Sequence, residues 1–500
     1  MNTFNQKIYS MLVVLVIMTS GCGKDFLKID PKTDVNADSY FKDENQINQA
    51  VSGAYVPMRD LTKSFTWIFL EMRSDNTAFQ YNNKDRGSEQ REFIDEFLVT
   101  AAAEQIGQLW SGAYTGISRC NDILAKIIPV EMDAAKKDQY IGEAKFMRAY
   151  YYYNLVQLYG GVPLRLEPVN GPEDARSKGR ATVAEVYDAL ESDLKDAAEK
   201  LPPKYSSDQA GRATKGAAKT LLAKLYMLKK NYKAAIPVLR EVMTLGYDLL
   251  PQYADLFKPV NKNNQESIFE VQFLGSVPEL ASNFMYQFVP FTSGNIITKD
   301  PNNRILGGGA GWNIPTEDML NAYEPGDKRK AISVSEGYTD ENNVFVKVPY
   351  IRKYVNGFAD AGRTDDNFPV LRFADVLLML AECLNEEGYA ANGEAFNLLN
   401  RVRHRADLGD KKAVTVPDQA AFRLAIEQER QVELAFENHR WFDLVRTGRA
   451  VTVMNAHGKR EKATKTYLPG NAYEVTDNKL LLPIPQREVN LDKLDQNTGY

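Results

Sequence analysis

The chain has 500 residues, 44% of them hydrophobic and 25% charged. Those proportions belong to a folded, water-exposed protein and exclude wholesale disorder, collagen and a polytopic membrane protein. A net charge of −5 argues against nucleic acid as a partner, and three cysteines with three histidines exclude a disulfide framework and leave little material for zinc or His-based catalysis.

Lys7 precedes an apolar stretch over 8–18, and the small residues Thr19, Ser20 and Gly21 follow it. The stretch is too short to span a bilayer and has the order of a secretory signal, so 1–21 is expected to be removed. Cys22 directly after a small residue resembles the bacterial lipoprotein box, with Thr19 standing where Leu is usual. The resemblance implies that the Cys22 thiol is acylated and anchors the chain in lipid. No other apolar run approaches membrane length.

Residues 23–31 read as a short extended tether. Helical periodicity then dominates. Met147, Tyr151, Leu155 and Leu158 share one face and Phe146, Tyr150 and Tyr153 the next, so this helix is expected to be central, ending at Gly160. Thr182 and Glu185 form a capping box for a helix running to about Leu201. Ala218, Leu221, Leu222, Leu225 and Leu228 mark one stripe, and Ala235, Val238, Leu239 and Val242 mark a second after a turn at Lys230 and Asn231. The same arrangement returns with Val376, Leu377, Leu380, Ala381 and Leu384, a turn around Gly388, then Ala395, Leu398, Leu399 and Val402. Such helix–turn–helix units look like tetratricopeptide repeats, each pair burying its face on the next. The fold class expected is mostly α, an α-α superhelical scaffold of tetratricopeptide-like pairs with loop-rich segments and short strands between them. The loops and short strands fall at 260–365. The organisation expected is a signal peptide at 1–21, an N-terminal helical region at 22–250 and a C-terminal region at 260–500, together one globular unit.

Gly307, Gly308 and Gly309 invite a phosphate-loop reading, but no Gly-Lys-Ser/Thr follows. In 429–446, Glu429, Glu433, Glu437 and Arg440 fall on one helical face, with His439 and Asp443 nearby. Acid–base chemistry is one reading; a salt-bridged helix with Leu434, Phe436 and Trp441 packed inward is the other, and it is preferred. His404 and His457 stand among basic residues and read as solvated. Cys120 and Cys383 read as inert core residues.

Aromatic residues outside the helical stripes supply the binding candidates. Phe79 and Tyr81 lie near Asn76, with Arg86 following; Tyr286, Phe288 and Phe291 follow Asn283; Trp312 stands in a Gly-rich loop. Ring faces stack on the apolar faces of sugars while Asn and Arg satisfy hydroxyls at the edge. Alternation of Phe284, Tyr286 and Phe288 fits the inside of a strand equally well. No catalytic residue, metal ligand or cofactor is assigned.

Taken together, 22–31, 143–163, 315–329, 372–382, 399–405, the Glu429–Glu437 segment with Arg440-Trp-Phe-Asp-Leu444, and the C-terminal Leu482-Pro-Ile-Pro485 with Gln496-Asn-Thr-Gly-Tyr500 resemble the SusD/RagB family of surface lipoproteins. Thr498 stands where the family usually has Pro. The resemblance implies a binding protein and not an enzyme, lipid-anchored at the cell outer membrane and facing outward. It implies a TonB-dependent SusC-like transporter barrel as partner and an oligosaccharide as cargo, some members taking peptides instead. A lipid-anchored glycan hydrolase and a tetratricopeptide scaffold for proteins are the readings from other classes.

Overall fold

The computed structural model describes residues 40–84, 89–299 and 307–500. The expected signal peptide 1–21, Cys22 and Arg86 lie outside the described residues.

Among the described residues, nine helices form the scaffold: α1 (Glu44–Ser64), α2 (Glu104–Lys126), α3 (Ala134–Tyr159), α4 (Val183–Lys200), α5 (Lys215–Leu228), α6 (Tyr232–Met243), α7 (Phe373–Glu387), α8 (Glu394–Arg405) and α9 (Gln419–Glu433). Their starts follow from the sequence. Asp43, Asp133, Thr214, Asn231 and Asp418 each accept an amide of the first turn, and Thr182 with Glu185 makes the full capping box. Each helix packs on the next, α1 on α2 through to α5 on α6, as stacked pairs require. The central α3 buries most of its circumference. Gly116 on α2 makes room for it: a Cβ there would sit 2.2 Å from the Tyr151 ring. The Tyr151 hydroxyl then donates to the Ala54 carbonyl of α1 at 2.8 Å.

The stacking passes directly from α6 to α7, although residues 244–372 intervene in sequence. The base of that insertion is closed by an antiparallel pair, β1 (Ser267–Val271) with β2 (Phe368–Arg372), in which Val271 lies opposite Phe368. Strand β2 runs straight into α7, so a long loop region leaves and re-enters the helical stack at one point. One apolar cluster extends from Ile47 to Leu494 and joins the stack, this strand pair and the C-terminal segment.

The structure corrects three expectations. Residues 284–288 form one helical turn, Phe284–Phe288, buried on every side; a five-residue apolar run has no length over which a period can be read. The charged stretch 429–446 is not one helix. It breaks after Glu433, passes through left-handed Phe436 and Asn438, and resumes at Arg440–Arg446. Non-glycine residues in that conformation cost about 1–2 kcal/mol each. The buried Glu71 carboxylate offsets it by accepting the amides of Phe436 at 2.9 Å and Asn438 at 3.0 Å. Finally, His457 is wholly buried, with Nδ1 2.6 Å from an Asp318 carboxylate oxygen, and is not solvated.

The inward-facing reading of 429–446 holds. Trp441, Leu434 and Phe436 are core residues. Glu429, Glu433 and Glu437 are also buried, satisfied by Arg329, Arg372, Arg403, Arg405 and Lys353. Cys120 and Cys383 are buried thiols pushed up by desolvation, Cys120 to about 12, which leaves both unreactive.

Candidate functional site

Three stretches far apart in sequence meet at one edge of the molecule: 76–81, 283–292 and 309–313. Thr77–Ala78 pairs antiparallel with Ile314–Pro315, and the Gln80 amide continues the ladder to the Gly311 carbonyl at 2.8 Å. The third stretch lies against the second through Gly309 to Gly294, Ala310 to Tyr286, Gly311 to Val289 and Trp312 to Gln287, all backbone bonds of 2.8–3.0 Å. This close approach explains the glycines. A Cβ on Gly309 would sit 2.5–2.7 Å from Val289 and the Pro290 carbonyl, and Gly311 has φ +65 with Gln80 against it. The glycine run is thus a packing device, not a phosphate cradle. Gln80 ties the third side, its Oε1 accepting the Phe291 amide at 2.9 Å and its Nε2 donating to Thr292 at 3.1 Å.

Of the sequence candidates brought together here, Tyr81, Trp312 and Phe291 remain partly exposed. The Tyr81 ring stacks on Tyr467, centroids 4.0 Å apart and planes 13° from parallel. Tyr467 comes from the loop after helix Ala450–Thr464 and is 38% exposed. It was missed in the sequence, although its setting, an aromatic among Lys, Thr and Pro-Gly, is the one that singled out Tyr81 and Trp312. Trp312 is covered on one side by the Arg91 guanidinium, 4.1 Å from the ring centroid, a cation–π contact that orients the indole.

The other candidates stand elsewhere. Asn76 is buried, its amide donating to Glu71 at 2.7 Å and its oxygen accepting from Gln431 at 2.9 Å, so both polar ends are used inside the fold. Phe79 and Phe288 are core residues, and Tyr286 is buried in a satellite cluster with Met285 and Val289. These four are buried and not in the surface setting that the sequence suggested, because both polar ends of Asn76 are bonded inside the fold and the three rings pack into apolar clusters. Asn283 is half-buried and its Oδ1 accepts from Gln287 at 2.7 Å.

Beneath the exposed rings lies Asp95, which accepts the Phe79 amide at 3.2 Å and the Tyr473 hydroxyl at 3.0 Å. Burial pushes its carboxyl well up. Burial first, then Asp95 and Glu461, push the Tyr467 phenol up as well. The stacked pair presents a flat surface with hydroxyl edges, suited to the CH faces of a ring ligand.

Comparison with known proteins agrees with this architecture. A family described as "Starch-binding associating with outer membrane" matches residues 25–227, and the "SusD family" matches residues 278–500. A SusD-like protein of Formosa agariphila is 28% identical over 99% of this chain and 100% of its own. The starch-binding protein SusD of Bacteroides thetaiotaomicron is 26% identical over 72% of each chain. Among solved structures, a laminarin-binding SusD-like protein superposes with a TM-score of 0.77 at 28% identity, covering 92% of this chain and 100% of that one. A SusD superfamily protein of Parabacteroides distasonis gives 0.76 at 26% identity over 91% and 99%. The chain is thus similar in its two halves to SusD-like proteins, of which one is named for starch binding and one for laminarin binding.

Proposed function

We propose that this protein binds oligosaccharide at the cell surface and passes it to a transporter. The platform is Tyr81 with Tyr467, and Trp312 with Phe291 beside them. The observation that carries the reading is the Tyr81–Tyr467 stack, a paired aromatic face held at the surface by loops instead of being folded into the core, where 11% aromatic content had ample room to go. Relatives named for starch and laminarin binding support a carbohydrate as the ligand.

The Cys22 setting supports a lipid anchor in the outer membrane, with the helical stack facing outward. The partner is then a TonB-dependent SusC-like barrel that takes the ligand inward. The work is binding and release: the buried carboxylates of the 429–446 segment are spent in ion pairs inside the fold.

Three measurements test this. Affinity electrophoresis in gels containing laminarin, starch or other polysaccharides should retard the protein in at least one, while reducing-end assays on the same glycans stay flat. Release of reducing ends would make it a hydrolase, and retention by peptides alone would change the ligand class. For the anchor, Cys22→Ala should fold but leave the outer-membrane pellet; unchanged retention would refute acylation at Cys22.

A further inference from the structure

The loop unit that carries Trp312 has a second face. There the strand pair Tyr338–Thr339 with Phe345–Val346, the segment 350–355 and Ile296–Ile297 enclose a concavity of about 460 Å³. Its walls are Phe345, Tyr350, Tyr338, Ile296, Ile297 and Val355, with Arg352 and Thr339 at the edge. The volume falls within the range of roughly 300–1,000 Å³ seen for small-molecule sites. Phe345 is 59% exposed, and a single exposed ring is ordinary on a protein surface. Here it is one wall of a cavity that also exposes a tyrosine and a cation.

The cavity is rigidly built. Tyr350–Ile351 pairs with Val334–Ser335. A Cβ on Gly337 would lie 2.2 Å from the Val346 carbonyl, so the hairpin closes as tightly as glycine permits. Arg352 is fixed by one donor, to the Ala331 carbonyl at 2.9 Å, while its side chain stays exposed. One buried cluster supports both the cavity and the platform. Ile297, Tyr350 and Val355 pack on the satellite cluster of Met285, Tyr286 and Val289, and the backbone of Gln287 and Val289 holds Trp312 and Gly311 on the other side.

We propose that this concavity is a second oligosaccharide-binding subsite, with the Phe345 and Tyr350 rings stacking on sugar faces and Arg352 and Thr339 bonding to hydroxyls. The inference rests on the reading of the protein as a glycan binder. A concave pocket in which aromatic rings alternate with polar groups fits a sugar chain, whose rings offer CH faces and hydroxyl edges.

Calorimetry with a graded series of oligosaccharides from the polysaccharide that retards the parent tests it, using Phe345→Ala and Phe345→Tyr. Phe345→Ala should weaken the longest oligosaccharide roughly fivefold or more, by analogy with stacking on aromatic side chains. Phe345→Tyr should bind as the parent does, and both should melt as the parent does because the ring is exposed. Amides of 338–339 and 345–346 should gain hydrogen-exchange protection on saturation. Unchanged affinity in Phe345→Ala, or a loss that comes with lowered melting, overturns the subsite while the Trp312 platform stands. A parent that binds no oligosaccharide at all fails the functional reading itself, and the subsite with it.

Discussion

Tyr81 and Tyr467 lie face to face, 4.0 Å between centroids, although they come from opposite ends of the chain. Both rings keep part of their surface exposed, and each lies flat against the other. A ligand stacking on the pair therefore meets a surface ordered in advance, which lowers the entropy lost on binding. Tyr467→Ala should weaken oligosaccharide binding by about 1–3 kcal/mol, by analogy with stacking on aromatic side chains. Melting without ligand should shift little, as for other exposed positions. Titration of the variant beside a melting curve checks both; a large drop in melting with affinity intact would make the pair a structural clasp.

Trp441 has the opposite character. It is fully buried, with the Arg73 guanidinium 4.8 Å from its ring centroid and Phe97 at 5.5 Å. Trp441→Ala should cost about 3–5 kcal/mol, as for other buried aromatics. Urea unfolding measures it, and a cost under 1 kcal/mol would contradict the packing described.

Glu433 joins Arg329, Arg372 and Arg405 in the buried ionic network. Burial alone would push its carboxyl up, but the three guanidinium groups outweigh burial and hold it well below the usual range. Glu433→Gln leaves three cations short of a partner and should destabilise by about 3–5 kcal/mol. Equilibrium unfolding of the variant near pH 7 is the check; parent-like stability would mean that the network is dispensable.

Asp318 gives a pH signature. Burial raises its pKa, yet bonds and charge from His457 and Arg460 bring it down to about 2. Its unfolded value is about 3.9. A depressed carboxyl contributes stability above the unfolded value and loses it as pH falls towards the folded one. Asp318 is partly solvated and Arg460 is exposed, so screening weakens the effect; Asp318→Asn should therefore cost about 1–2 kcal/mol at pH 7 and progressively less between pH 4 and pH 2. Thermal melts across that window decide it, and a decrement that grows in acid would reverse the sign.

Much of the scaffold was legible in the sequence because its signals are local. Asn231 and Thr182 cap helices as their positions imply, and the 3.6-residue stripes of α5 to α8 survive as packing faces. What was hidden is tertiary. Nothing local says that α6 packs on α7 across 244–372, that Asp318 draws His457 inside, or that Glu71 captures the amides of a helix break. The site was half legible for the same reason. Tyr81 and Trp312 stood out as aromatics in polar or glycine-rich loops, whereas Phe79 and Phe288 have similar neighbours in sequence and end in the core. Only the pairing of 77–78 with 314–315 decides which side chains of those loops face water.

Isothermal titration of the parent, Tyr81→Ala and Trp312→Ala with oligosaccharides cut from the polysaccharide that retards the parent tests the aromatic platform most directly. The parent should bind, and each variant should lose roughly tenfold to a hundredfold in affinity, by analogy with stacked bases, with melting unchanged. Parent-like affinity in both variants, or unfolding of both, would contradict it.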